Sequence, residues 1–308
     1  EFRTSARFTG DIDEVMIFKR ALTDEEVKKL KDPCSDDSFK YPDFSSIEDL
    51  NLVRSAAQDI DKKSIVMTPS RPDKKAALWH NKRVAVQNGF TTEFTFRFSE
   101  GVKGKFPDGS LPGADGLVFV IQNHKADTCG RNGGGIGYWG IPNSIAIEID
   151  SYRNYLFDDI NDKNGNHLAV MCNGEDPNTS NHKSTAQIAY TEDIPEIVPD
   201  GRTYHCKIDY YPDDSRLEIY LDSSETFATP VIVLNNFDIS KMIDLDRGLG
   251  AFVGFTSATG SSHEIHELLS WEYCGFHGDV YPRPVFELNN QQSDLKVYPN
   301  PTNNIATI

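Results

Sequence analysis

Cysteines are few in this chain, and no two of them are closely spaced. The five stand at Cys34, Cys129, Cys172, Cys206 and Cys274. With no CxxC pair, neither a zinc ribbon nor thioredoxin-type chemistry fits, and an odd count leaves at least one thiol without an internal partner. No apolar run approaches the roughly 18 residues that a membrane-spanning helix needs, so no membrane span is expected. Basic side chains are scarce as well. Only 31 Lys and Arg stand against 47 Asp and Glu, a formal net charge of −16 at pH 7. Such a surface repels phosphate backbones and argues against nucleic-acid partners, while clustered carboxylates suit hard cations such as calcium. The chain starts at Glu1 without Met or signal peptide, and so reads as an excised or processed piece. What is present is the composition of a folded protein: 38% apolar and 11% aromatic residues over 308 positions, enough for about two domains and a substantial core.

Residues 1–33 do not look like the start of a domain. Asp11-Ile12-Asp13-Glu14-Val15-Met16-Ile17-Phe18 is strand-like. Thr23-Asp24-Glu25-Glu26 then has capping-box spacing and predicts a short helix to about Lys31. A strand and one helix cannot build a core, so the segment needs a partner. From Phe39 to Tyr273 the pattern is all-β. β-Branched and aromatic segments recur, among them Phe94–Phe98, Leu117–Ile121, Ser144–Tyr152, His167–Cys172, Tyr204–Tyr210, Leu217–Leu221, Ala251–Phe255 and Leu268–Tyr273. Several alternate with period two, as half-buried antiparallel strands do. Turn clusters such as Asn88-Gly89, Pro107-Asp108-Gly109 and Pro199-Asp200-Gly201 separate them. With no helix of comparable length between, an antiparallel β-sandwich or jelly roll is expected. Residues 275–294 carry Gly, Pro, Asn and Gln with little periodicity and read as a linker.

The chemistry concentrates in Asn143-Ser144-Ile145-Ala146-Ile147-Glu148-Ile149-Asp150-Ser151-Tyr152-Arg153-Asn154. On a strand, residues i and i+2 share a face about 6.7 Å apart. Glu148, Asp150, Tyr152 and Asn154 therefore project together, and Ile145, Ile147 and Ile149 turn to the core. Two neighbouring carboxylates repel unless a proton or cation sits between them. Asp158, Asp159, Asp162 and His167 come next along the chain. The set could hold a hard calcium beside a transition metal favouring the histidine; taken alone, the same residues equally suit a solvated acidic hairpin edge.

Other motifs fail on inspection. Gly135-x-Gly137-x-x-Gly140 has dinucleotide-fingerprint spacing, but Ile141-Pro142 stands where a helix should begin. An EF-hand aligned on Gly165 would put Met171 where an acid is required. In His263-Glu264-Ile265-His266-Glu267, Glu267 takes the place of the second histidine of HExxH. Glu148-x-Asp150 is also the opening of jelly-roll glycosidase signatures, but Tyr152 and Arg153 stand where a second catalytic glutamate belongs. A retaining hydrolase needs two carboxyls about 5 Å apart, so no enzyme activity is expected.

Residues 143–154 together with His167 resemble the metal signature of legume-type (L-type) lectins. Further matches occur in order along roughly residues 35–274: Phe39-Lys40-Tyr41-Pro42-Asp43-Phe44, Ala114-Asp115-Gly116-Leu117-Val118-Phe119-Val120-Ile121, Gly133-Gly134-Gly135-Ile136-Gly137, Val253-Gly254-Phe255-Thr256-Ser257-Ala258-Thr259-Gly260 and His266-Glu267-Leu268-Leu269-Ser270-Trp271. The resemblance implies a concanavalin A-like jelly roll over residues 34–274. It implies that Glu148, Asp150 and His167 bind a manganese-like ion (Mn2+). Asp150 would bridge to Ca2+, which also takes the Tyr152 carbonyl and the Asn154 amide. Asp162, five before His167, is the expected second bridge and Asp159 the fallback. A sugar would meet Asp115 and Asn154, a backbone N–H of Gly134 or Gly135, and the Tyr152 ring, with Ser261 and Ser262 tuning specificity. The resemblance further implies a cis Ala114–Asp115 peptide. Because the family's terminal strands are neighbours, it also implies a Cys34–Cys274 disulfide.

Phe8-Thr9-Gly10-Asp11-Ile12-Asp13-Glu14-Val15-Met16-Ile17-Phe18-Lys19-Arg20-Ala21-Leu22-Thr23-Asp24-Glu25-Glu26 resembles the closing strand of laminin-G-like jelly rolls, although an ordinary amphipathic tail would read the same way. Residues 295–308, with Lys296-Val297-Tyr298-Pro299-Asn300-Pro301 near their start, resemble the opening of a type IX secretion sorting domain. Together these imply a calcium-dependent carbohydrate-binding module of an adhesive protein, secreted or at the surface of a Bacteroidetes-type bacterium, with glycans and other domains of the same chain as partners. Two alternatives remain: a binding module appended to a catalytic domain, and a structural surface protein without sugar binding.

Overall fold

The computed structural model describes residues 21–31, 34–104, 112–154 and 163–278. It divides into two units, one of residues 1–33 with 277–308 and one of residues 34–276. In the first, the helix α1 (Asp24–Lys31) forms where the capping box predicts it. The Glu26 N–H donates to Thr23 Oγ1 at 3.2 Å, and the Thr23 N–H donates to Glu26 Oε2 at 2.7 Å. The expected strand over Asp11–Phe18, the sorting-like segment 295–308 and the linker beyond residue 278 lie outside the described residues.

The second unit holds fifteen strands among its described residues. They are β1 (Phe39–Tyr41), β2 (Leu50–Arg54), β3 (Ala57–Asp59), β4 (Ser64–Thr68) and β5 (Lys75–His80). Next come β6 (Phe90–Val102), β7 (Gly116–Gln122), β8 (Ser144–Asp150), β9 (His167–Cys172) and β10 (Gln187–Thr191). The last five are β11 (Asp200–Tyr211), β12 (Arg216–Asp222), β13 (Ile232–Asn235), β14 (Phe252–Ala258) and β15 (His263–Gly275). An eight-stranded sheet runs β13-β12-β11-β6-β15-β4-β3, with β1 also paired to β15; a seven-stranded sheet runs β10-β9-β8-β7-β14-β5-β2. Every pairing is antiparallel, and the sheets stack as a sandwich.

The two sheets follow different burial rules. In β6, Phe90, Thr92, Phe94, Phe96 and Phe98 turn inward while Thr91, Glu93, Thr95 and Arg97 turn out, the period-two pattern of a half-buried strand. Strands β7, β8, β9 and β14 are instead buried at every residue. Their inner face (Leu117, Phe119, Ile147, Phe255) joins the main core, while Val118, Val120, Ala146 and Ala169 pack beneath a second layer containing Ile136, Tyr138 and Ile141. A sheet covered on both faces reads as continuous apolar runs rather than alternation. Across the main core, Phe255 meets Phe94 and Trp271 edge-on at centroid distances of 4.8 and 4.9 Å. Each such ring contributes about 1.5–3 kcal/mol by burial.

The chain ends of this unit are tied by a Cys34–Cys274 disulfide, with Cα atoms 4.9 Å apart. Phe39 pairs with Tyr273 in the same corner. Cys129, Cys172 and Cys206 are free thiols.

Candidate metal and ligand site

Strand register assembles the acidic side chains. β8 lies between β7 and β9, and Asp150 pairs with Gly116 on one side and His167 on the other. Glu148, two residues back on the same face, pairs with Val118 and Ala169. The close approach at Asp150 depends on Gly116: at φ +146°, a Cβ there would stand 2.3 Å from the Ile149 carbonyl oxygen.

Glu148, Asp150 and His167 are at most 1% exposed. Glu148 Oε1 lies 3.2 Å from His167 Nε2 and 3.1 Å from His182 Nε2, and its Oε2 accepts the Tyr138 hydroxyl. Burial by itself would push the Glu148 carboxyl up. The charge of His182 and hydrogen bonds from both imidazoles outweigh it and hold the group well below the usual carboxylate range. The other ring nitrogens are engaged as well, His167 Nδ1 with the Asn164 carbonyl at 3.2 Å and His182 Nδ1 with Gln187 Oε1 at 3.0 Å. Donor atoms of Glu148, His167 and His182 all lie within 4.8 Å of one another. A buried carboxylate and two imidazoles with oriented Nε2 atoms make a donor set that fits a divalent transition ion.

His182 is absent from the sequence-based set. It sits in the β9–β10 connection, fifteen residues after His167, in a stretch rich in Asn and Ser. Its only signal in the sequence is an isolated histidine in a polar loop.

Beside this cluster lies the expected ligand-binding set. The Asp150 Oδ1 accepts the Tyr152 N–H at 2.6 Å, which turns the chain at the end of β8. Asn154 Nδ2 then lies 3.4 Å from Asp115 Oδ1 and 3.5 Å from the Tyr152 carbonyl oxygen. The Ala114–Asp115 peptide is cis, the Asp115 N–H donates to the Ala258 carbonyl at 2.9 Å, and the Asp115 carbonyl accepts the Ser151 N–H at 3.0 Å. A Cβ on Gly260 would stand 3.3 Å from Asp115 Oδ2, so the 258–262 loop lies against that carboxylate. The Gly133 N–H reaches the Thr259 carbonyl at 3.2 Å and joins the glycine loop to the same place. Asp115, Asn154 and the glycine loop are thus brought together at the Asp150 end of β8.

Several side chains are less available than their sequence positions imply. Tyr152 is only 7% exposed. Ser262 is buried, its hydroxyl accepting the Gly104 N–H at 2.9 Å, while Ser261 is half-buried. Gly134 and Gly135 are buried, and the Gly135 N–H is given to the Asn132 carbonyl at 3.3 Å. Asp159 and Asp162 lie outside the described residues.

An antiparallel two-sheet sandwich of this topology defines the fold of the legume lectins. Lectin II from Ulex europaeus matches with a TM-score of 0.61 at 19% identity, covering 78% of this chain and 99% of that one. A lectin from Bauhinia forficata, solved in complex with GalNAc, matches with a TM-score of 0.57 at 19% identity over 77% and 96%. The family model of the legume lectin beta-barrel domain matches residues 41–269, and the chain belongs to that L-type lectin domain family. Among curated relatives, the probable L-type lectin-domain containing receptor kinase S.7 of Arabidopsis thaliana is 30% identical over 197 residues, 59% of this chain and 26% of the relative. Lectin 8 of Medicago truncatula is 27% identical over 202 residues, 61% and 66% of the two chains. The chain spans about a quarter of the length of the two receptor kinases it matches first, at 26% and 28%. The all-β sandwich and the disulfide expected from the sequence are both present.

Proposed function

We propose that residues 34–276 form a calcium-dependent glycan-binding module in an adhesive protein that is secreted or held at a bacterial surface. One observation carries the reading: Asp115 and Asn154, both buried, meet within 3.4 Å beside the acidic end of β8. A carboxylate accepts from two sugar hydroxyls, and an amide held next to it donates to a third oxygen. Since the Gly135 N–H is already engaged, Gly134 is the better backbone donor. Asp150, the Tyr152 carbonyl and the Asn154 side chain would hold calcium, with Asp162 or Asp159 as the second bridging carboxylate. Those oxygens suit a hard cation. Bound there, calcium would supply the charge that holds Asn154 and the Asp115 loop in one arrangement, so that little ordering entropy is left to lose on binding sugar.

The solved relatives support a sugar ligand through the GalNAc complex of the Bauhinia protein. Export through a type IX pathway rests on the resemblance of residues 295–308, and a multidomain setting on that of residues 8–26. The deciding experiment is a glycan array run with and without chelator. Binding that requires calcium is expected; glycan binding indifferent to chelation, or no binding by calcium-loaded protein, overturns the reading.

A further inference from the structure

We propose that His182 is a direct metal ligand, and that with Glu148 and His167 it makes the second ion of this site a zinc-class cation rather than manganese. The inference rests on the reading that the end of β8 holds metal, and is independent of whether glycan binds. The Asn164 carbonyl can only accept, so the His167 Nδ1 bonded to it carries a proton. Gln187 Oε1 holds His182 Nδ1 in the same way. Both Nε2 atoms face one carboxylate oxygen, at 3.1 and 3.2 Å; with Nδ1 holding its own proton, a metal can replace the Nε2 proton of each ring and meet the lone pair beneath it. Two imidazole nitrogens and an anionic oxygen converging at that distance are a donor set in which one divalent cation can take the place of the shared protons. Four- or six-coordinate sites with bonds of about 2.0–2.1 Å separate adjacent donors by roughly 3.4 or 2.9 Å; the two separations to the carboxylate oxygen fall between, and all three donors lie within 4.8 Å of one another, so the rings need only close slightly around an ion.

The second imidazole decides which ion is favoured. Oxygen-rich sites suit magnesium, calcium and manganese, whereas imidazole nitrogen favours zinc and its neighbours at the copper end of the divalent series. One histidine among carboxylates discriminates weakly, and two discriminate more. The rings are fixed before any ion arrives. His167 and His182 pack edge to face at 4.8 Å between centroids, and Tyr190 lies 4.9 Å from His167. Each ring is also anchored through Nδ1, the outer partner that orients a metal-binding histidine.

The test uses the full chain, stripped by chelator and supplied with zinc or manganese alone, in the absence of sugar. His182→Asn should weaken zinc binding at least tenfold and manganese binding by a smaller factor, with the far-ultraviolet circular dichroism unchanged. A second measurement on the unaltered protein guards against a variant that fails to fold. With 15N-labelled histidine, zinc should shift the Nε2 resonances of two rings. A shift confined to one ring, or equal losses for zinc and manganese in His182→Asn, overturns the proposal while leaving the metal site itself standing. Failure of the unaltered protein to take up zinc or manganese overturns both the proposal and the transition-metal site.

Discussion

Replacing Asp115 by Asn tests the proposed sugar contact with little change of shape. The carboxylate is 2% exposed and lies 3.4 Å from Asn154 Nδ2, the long end of hydrogen bonding, so an amide oxygen in the same place sacrifices little of that contact. Its backbone bonds to Ala258 and Ser151 are untouched by the change. What is lost is the charged acceptor. A hydrogen bond to an ionised group contributes about 1.5–3 kcal/mol, and the new NH2 presents a donor where a sugar hydroxyl also needs to donate. At about 1.4 kcal/mol per tenfold, glycan affinity should fall roughly 10- to 100-fold while calcium binding and melting temperature stay near their original values. Asp150→Ala is the companion variant. It removes the acceptor of the Tyr152 N–H at 2.6 Å and the proposed calcium bridge, so glycan binding and chelator-sensitive stability should vanish together. With calcium at a hundred times its dissociation constant, that linked stability is about 2.7 kcal/mol. Titration calorimetry with a glycan chosen from the array, alongside thermal melts with and without calcium, reads both effects. Wild-type affinity in folded Asp115→Asn would mean that the sugar sits elsewhere. Undiminished affinity in metal-free Asp150→Ala would mean that metal and sugar are not coupled.

Gly116→Ala should cost about 2–3 kcal/mol and weaken glycan binding, because its Cβ would meet the Ile149 carbonyl at 2.3 Å and push β7 from β8; a denaturant midpoint equal to wild type would refute this. Replacing Cys34 and Cys274 by Ser opens a loop of 240 residues, a loss of up to ~5 kcal/mol in the chain-entropy model. The melting temperature should then drop by at most roughly 10–20 °C, and an unchanged melt would count against the bond. Burial pushes the Cys129 thiol up to about 11 and raises those of Cys172 and Cys206 as well. Because the thiolate is the reactive form, native protein near pH 8 should resist iodoacetamide at all three, and alkylation of Cys129 should accelerate as pH climbs toward 11. Denatured, unreduced protein should take up three labels by mass spectrometry, and five would show that no disulfide is present.

Local chemistry explains which parts were legible in the chain. The Thr23–Glu26 capping box is complete within four residues, and its helix forms where it predicts. Period-two alternation in Phe90–Phe98 marks a strand with one covered face. The same rule applied to Leu117–Ile121 or His167–Cys172 misjudges the outer face, because no residue in those runs reveals that Ile136, Tyr138 and Ile141 will lie over them. That cover comes from the β7–β8 connection, which folds back over the outer face of the sheet.

The site divides along the same line. Glu148 and Asp150 are two apart on one strand, so their shared face follows from the extended backbone alone, and the composition of residues 143–154 already pointed to cations. Residues far apart in the chain meet only through register and loop closure. The pairing of β8 with β9 sets His167 against Asp150, and the turn after β8 carries Asn154 to Asp115. The β9–β10 connection folds back until His182 reaches Glu148 Oε1. Resemblance to a family anticipated the first two meetings. The third belongs to this chain's own loop, whose path is set by packing of His182 against His167 and Tyr190 and by its bond to Gln187. Strand chemistry and the order of motifs are written in the sequence. Which imidazoles share a carboxylate is decided by tertiary structure, because the contact energy that selects the loop's path exists only once the sheet beneath it has formed.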